Sequence, residues 1–133
     1  MKNLNKLLIP LFYIANLVLI TLYLYPGSVL GCYLYNDCLT QPKITSDIII
    51  SSKYSISSNH FWTFTIFSVL GFFTYQDKKK IKFLIIYLLL LSIILELLHI
   101  VVPIRAFEWK DLSGNILGVI FIIIIYKIKN KYA

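Results

Sequence analysis

Residues 96–118 read E-L-L-H-I-V-V-P-I-R-A-F-E-W-K-D-L-S-G-N-I-L-G, and the rest of the chain is arranged around them. Within twenty residues this stretch sets Glu96, His99, Arg105, Glu108, Asp111 and Asn115 into a background that is almost wholly aliphatic and aromatic. Ionisable groups at membrane depth are costly, which makes them the first place to look for function. The spacing predicts two helices turning back on each other at Pro103, with the polar groups gathered at the turn. Glu96 then lies about 10 Å, two turns, inside the end of one helix at 1.5 Å per residue. His99, at i+3, shares its face. In the next helix Asp111, Asn115 and Gly118 fall at i, i+4 and i+7, again on one face, and Gly114 with Gly118 forms a G-x-x-x-G pair that lets another helix approach closely.

Outward from this stretch the chain is apolar: 59% of its 133 residues are hydrophobic, with a mean hydropathy of +0.78. A soluble domain of this size needs a more polar surface. Apolar runs at 7–25, 61–75, 83–102 and 112–126 are compared with the about 20 residues that cross ~30 Å of hydrocarbon, and the shorter ones span if their polar ends sit in the interface. The expectation is an all-α, four-helix transmembrane bundle forming one domain over 1–133, with helices near 7–25, 60–76, 83–102 and 111–126 and a long loop over 26–59.

The net charge of +7 is a topology signal. Nine of the 13 basic residues (Lys2, Lys6, Lys78, Lys79, Lys80, Lys82, Lys127, Lys129 and Lys131) fall on one side of the expected bundle. Lys43, Lys53, Arg105 and Lys110 fall on the other. The positive-inside rule then places both termini in the cytoplasm and the polar cluster at the outer ends of helices 2–4. The anionic inner leaflet is the partner of the excess charge, and no nucleic-acid signature is present.

Met1 to Tyr25, basic and then apolar, is longer than a signal peptide's apolar core and reads as a retained helix. Asn16, mid-span, calls for an interhelical hydrogen bond. Tyr23 and Tyr25 fit an aromatic belt. In the loop, Ile48–Ile50 suits either a short strand or a segment dipping into the interface. Cys32 and Cys38, with five residues between them on the outer side, suit either a small disulfide loop or two free thiols. Ser57-Ser58-Asn59 is a candidate N-cap for helix 2, with His60 in its first turn.

Three kinds of chemistry suit the cluster. Glu96 and Arg105 would form a charge pair locking the turn. Alternatively Arg105, with His60, Glu96, Asp111 and Asn115, would bind an anionic headgroup, because a guanidinium grips phosphate or carboxylate bidentately. As a third reading, Glu96, His99 and Asp111 are the candidate catalytic groups of an intramembrane enzyme whose reaction the sequence does not name. Glu96-x-x-His99 also has the i, i+3 spacing of carboxylate metal sites in helical bundles, and His60 with Asp111 would complete four ligands. Those sites carry the motif twice, so no metal and no cofactor is expected.

His60-Phe61, then Glu96, Pro103-x-Arg105, Asp111 and Asn115-x-x-Gly118, in this order and spacing, resemble the VanZ-like family of small bacterial membrane proteins over about residues 57–120. The family usually has a glutamine where His99 stands, and commonly an Asp-Lys pair where this chain has Ser57-Ser58. The resemblance implies a multi-pass bundle in the bacterial cytoplasmic membrane with its polar motif facing outward. The family takes its name from a member associated with resistance to the glycopeptide teicoplanin, and no reaction carries over. Membrane lipids are the expected partners. The alternative is a small accessory subunit of a larger membrane complex, for which Gly114, Gly118 and the many aromatic residues would supply contacts.

Overall fold

The computed structural model describes residues 2–43 and 45–132. Met1 and Ala133, the termini expected in the cytoplasm, lie outside the described residues. The order is α1 (Lys2–Leu24), α2 (Val29–Tyr35), β1 (Ile48–Ile49), β2 (Ser55–Ile56), α3 (Ser58–Thr74), α4 (Lys78–Leu98) and α5 (Trp109–Tyr132). About 70% of the chain is helical. Residues 6–24 of α1, together with α4 and α5, form three helices long and apolar enough to cross a membrane. α3 has 17 residues.

The chain runs up, down, up and down. Thr74 Oγ1 at the end of α3 donates to the Leu8 carbonyl near the start of α1. At the opposite end Tyr23 meets His60 of α3 and Asn115 of α5. The lysine-bearing ends of α1, α4 and α5 therefore lie away from the end where these polar groups meet.

The helix boundaries follow local chemistry. α4 begins at Lys78, ahead of the expected residue 83, because the Asp77 carboxylate accepts from the backbone N–H of Lys79 and Lys80 at 2.8 and 3.2 Å. Such a cap satisfies orphan donors and offsets three lysines at a positive helix end. α4 stops at Leu98 rather than 102: from His99 the backbone tightens into turns, with Ile100 and Val101 N–H donating three residues back to the Leu97 and Leu98 carbonyls, and Pro103 restricts the residue before it. Ile104 beyond it has φ 67°, a left-handed conformation costly for a β-branched residue. α5 runs on to Tyr132, past the expected 126, its lysines lying beyond the apolar stretch.

The loop over 26–59 is not one irregular connection. Ser28 caps α2, its Oγ accepting from Gly31 N–H at 2.9 Å, and Asn36 closes α2 at φ 52°. Gly31 is required there: a Cβ on it would stand 1.9 Å from the Thr40 carbonyl oxygen. Cys32 and Cys38 are joined in a disulfide across this turn. Ile48–Ile49 pairs antiparallel with Ser55–Ile56, and Ser57 N–H then donates to the Lys110 carbonyl, tying the start of α3 to α5. Ser57 occupies the N-cap position of α3 without a side-chain cap; Asp47 Oδ1 accepts from Ser58 N–H at 3.4 Å instead.

On α4 the buried positions Ile81, Leu84, Leu88, Leu91, Ser92, Leu95 and Glu96 recur at helical spacing, so one face meets the core and the other is left for lipid. α3 and α5 approach most closely. A Cβ on Gly114 would stand 2.6 Å from the Ser57 carbonyl oxygen, and one on Gly118 2.5 Å from that of Phe61. Only glycine admits backbone at that distance. Phe12 of α1 stacks on Phe67 of α3 at 5.0 Å, closing the other end of the core.

Candidate functional site

Four helices deliver the site at one end of the bundle. α1 ends in Tyr23, α3 opens with His60, α4 closes with Ser92, Glu96 and His99, and α5 opens with Asp111 and Asn115. The 99–108 turn adds Arg105 and the Glu108 amide. Glu96 and Asn115 are fully buried, and His60, His99 and Tyr23 nearly so.

Hydrogen bonds fix the orientation of the central groups. Asn115 Nδ2 donates to the Ser92 carbonyl at 3.2 Å, which leaves Oδ1 facing Tyr23 and His60. The Tyr23 hydroxyl donates to Oδ1 at 2.8 Å, and His60 Nδ1 lies 3.0 Å from the same oxygen. An amide oxygen only accepts, so His60 carries a hydrogen on Nδ1, and in the neutral ring Nε2 then holds the lone pair. Nε2 stands 3.5 Å from Asp111 Oδ2. His99 Nε2 lies 3.1 Å from the Tyr23 carbonyl and therefore donates to it, while Nδ1 faces Glu96 Oε1 at 3.4 Å. Glu96 Oε1 also accepts from the Glu108 N–H at 3.2 Å. Glu96 Oε2 is buried without a hydrogen-bond partner; it lies 3.8 Å from His60 Nδ1.

The charge pair between Glu96 and Arg105 does not form. Glu96 is held by His99 and the Glu108 amide, and Arg105 is drawn across the end of α1. There its Nε donates to the Tyr25 carbonyl and one terminal nitrogen to the Leu22 carbonyl, both at 3.3 Å. Those carbonyls are the unsatisfied, negative end of a helix, where a cation belongs. Among the described residues no carboxylate comes within ion-pair distance of Arg105. Burial pulls the guanidinium below its ordinary pKa, and the fields of Tyr23, Asp111 and Glu96 push it back up.

Two cavities share Arg105. One of about 140 Å³ lies against Tyr23, Ser28, Pro42, His60, His99 and Arg105. The other, about 360 Å³, is lined by Lys43, Asp47, Arg105, Glu108, Lys110 and Asp111. In the latter, Lys43 bridges Asp47 at 3.6 Å, Lys110 bridges Glu108 at 2.9 Å and Asp111 faces His60 at 3.5 Å, which leaves Arg105 without an ion partner among the described residues.

Every expected site residue is therefore at this end: His60, Glu96, His99, Asp111 and Asn115 interlock, and Arg105 flanks them. Gly114 and Gly118 stand behind the site as the α3–α5 contact. Tyr23 is the residue that sequence reasoning missed. It reads as part of an aromatic belt, yet it is buried and bonded to three of the site's side chains. Its helical phase with buried Phe12 and Leu19 is the signal that would have found it. Ser92, at i−4 from Glu96, was likewise submerged in a run of Leu and Ile. One nitrogen of His60 and one oxygen each of Glu96 and Asp111 lie within 4.8 Å of one another, a set able to hold a metal ion. No family model, curated protein or solved structure matches the chain.

Proposed function

We propose that this is a VanZ-like protein of the bacterial cytoplasmic membrane that binds an anionic lipid-linked or envelope headgroup at the outer ends of its helices. In this reading α3 is the fourth span. Its 17 residues reach about 25 Å at 1.5 Å each, and a modest mismatch with ~30 Å of hydrocarbon is met by local thinning or by interfacial flanks. The up-down course and the clustering of lysines opposite the site support cytoplasmic termini.

The observation that carries the reading is the state of Arg105. It is half-buried, lines both cavities, and is paired with no carboxylate. Two carbonyls hold it in place and use two of its five donors, leaving the remainder of the planar fork for an incoming anion. A lipid phosphate reaching in from the outer leaflet would meet that fork, with His60 at the rear of the smaller cavity.

Native mass spectrometry of the detergent-extracted chain tests this. The wild type should carry a defined phospholipid or polyprenyl-phosphate adduct. R105A should lose it, and R105K should retain it only weakly, because a point charge does not replace a bidentate fork. Variant folding is followed by size-exclusion profile. An adduct of equal occupancy in folded R105A sinks the proposal. Co-elution of other proteins at fixed stoichiometry would make the chain a subunit of a larger assembly.

A further inference from the structure

We propose that His60, Asp111 and Glu96 form a binding site for one divalent transition-metal ion of the zinc class. The site adjoins Arg105 but rests on separate observations, and it stands or falls independently of headgroup binding.

The first observation is the His60 tautomer. With Nδ1–H committed to Asn115 Oδ1 at 3.0 Å, a neutral His60 presents its lone pair at Nε2. Its partner across 3.5 Å is Asp111 Oδ2, which is also an acceptor. Two acceptors facing each other need a cation or a proton between them. Metal-binding imidazoles have this arrangement: one nitrogen ligates while the other donates to an oxygen that fixes ring and tautomer. Here Asn115, itself anchored on the Ser92 carbonyl and on Tyr23, is that orienting oxygen.

The second observation is Glu96 Oε2. It is wholly buried and makes no hydrogen bond, whereas its twin Oε1 accepts from the Glu108 amide and faces His99 Nδ1 at 3.4 Å. A buried carboxylate oxygen without a partner is costly. His60 Nδ1 lies 3.8 Å from it. One nitrogen of His60 and one oxygen each of Glu96 and Asp111 lie within 4.8 Å of one another. Ligands ~2.0–2.2 Å from a metal at a tetrahedral angle stand about 3.4 Å apart, so the set must draw in by up to about 1.4 Å on binding.

Charge gives the third argument. Glu96 and Asp111 bring two carboxylates into a nearly dry site, and Arg105 pairs with neither. A divalent ion would neutralise both. One imidazole with two carboxylates suits zinc, manganese or ferrous iron, and imidazole disfavours magnesium and calcium. His99 is outside the set because both of its nitrogens are engaged, with the Tyr23 carbonyl and Glu96 Oε1. Asp111, partly exposed on the larger cavity, gives the ion its entry, and the cavity side leaves a coordination position open.

The test uses the full chain in detergent, stripped with chelator and titrated with Zn²⁺ by calorimetry, with bound metal counted by elemental analysis. One zinc per chain is expected, with a first shell of only nitrogen and oxygen, including one imidazole, by X-ray absorption. D111N and H60Q should each weaken binding at least tenfold. R105A should bind zinc as the wild type does while losing any lipid adduct, so the two proposals fail separately. D111N changes a partly exposed residue and carries the test if H60Q does not fold. Substoichiometric zinc, or wild-type affinity in folded D111N, overturns the site and leaves a proton as the particle held between His60 and Asp111.

Discussion

Substituting Gly118 by alanine tests the packing on which the site depends, and the sign of the effect is decisive. In an isolated helix Gly→Ala gains about 1 kcal/mol from backbone entropy and propensity. Here the new Cβ would sit 2.5 Å from the Phe61 carbonyl oxygen, 3.0 Å from the Thr65 nitrogen and 3.1 Å from Phe64 Cβ. Ordinary contact begins near 3.4 Å, so α5 must withdraw from α3 by roughly 0.9 Å, the difference between 3.4 and 2.5 Å. The obstacles are backbone and a Cβ, which cannot rotate away. Overpacking of this kind costs about 1–3 kcal/mol, which outweighs the propensity gain and leaves a net loss of roughly 1 kcal/mol. That corresponds to a fall of about 4 °C in Tm for a chain of this length. G114A meets the Ser57 carbonyl oxygen at 2.6 Å, and one withdrawal of α5 relieves both clashes. The double variant should therefore lose less than the sum of the singles. Thermal unfolding in a mild detergent measures all three, with G118L as the larger insult. If G118A melts above the wild type, the two helices do not touch there and the α3–α5 interface is wrong.

Three further perturbations address other parts of the molecule. Asn115→Leu removes the acceptor shared by the Tyr23 hydroxyl and His60 Nδ1–H, leaving them only each other, and takes the donor from the Ser92 carbonyl; a loss of about 1–3 kcal/mol is expected in thermal or denaturant unfolding, and unchanged stability would mean that water reaches this pair. Cys32→Ser, or reductant added to the wild type, opens a short loop whose closure stabilises by about 2 kcal/mol in the chain-entropy account, so Tm should fall in both cases by similar amounts and reductant should leave C32S untouched. Ile104→Gly removes a side chain from a left-handed residue that costs about 1–2 kcal/mol, against about 0.5–1 kcal/mol of added chain entropy. A Tm at or above the wild type is expected, and a clear fall would show that the exposed Ile104 side chain makes contacts that matter.

The candidate site was legible in the sequence to the extent that charge is conspicuous in an apolar chain. Glu96, His99, Arg105, Asp111 and Asn115 stand out because burying them has a cost that only a partner removes. Their pairing was not legible. Adjacency of charge suggested Glu96 with Arg105, but the turn after Pro103 carries Arg105 to the carbonyl end of α1, a contact about 80 residues away along the chain. Tyr23 escaped notice because an aromatic residue near a helix end satisfies the belt pattern whether it faces lipid or the core. Asn16 was read correctly as a group seeking an interhelical partner, and it meets the Tyr87 hydroxyl of α4. Among the elements, the apolar runs located α3 to within two residues and α1, α4 and α5 to within six. α2 and the hairpin have too few residues for periodicity, and they depend on close turns such as that of Gly31 against Thr40.

The Tyr23–Asn115 hydrogen bond joins residues 92 positions apart, and it bears on biogenesis. A chain emerging from the ribosome delivers Glu96 and His99 into the bilayer before the Glu108 amide, Asp111 and Asn115 have been made. During that interval Glu96 has only His99 and His60 beside it, and the Tyr23 hydroxyl has only His60. Arrival of the last helix supplies all the missing partners at once. Docking of α5 thus completes the hydrogen bonding of this end, because among the described residues Asn115 alone reaches Tyr23, His60 and the Ser92 carbonyl.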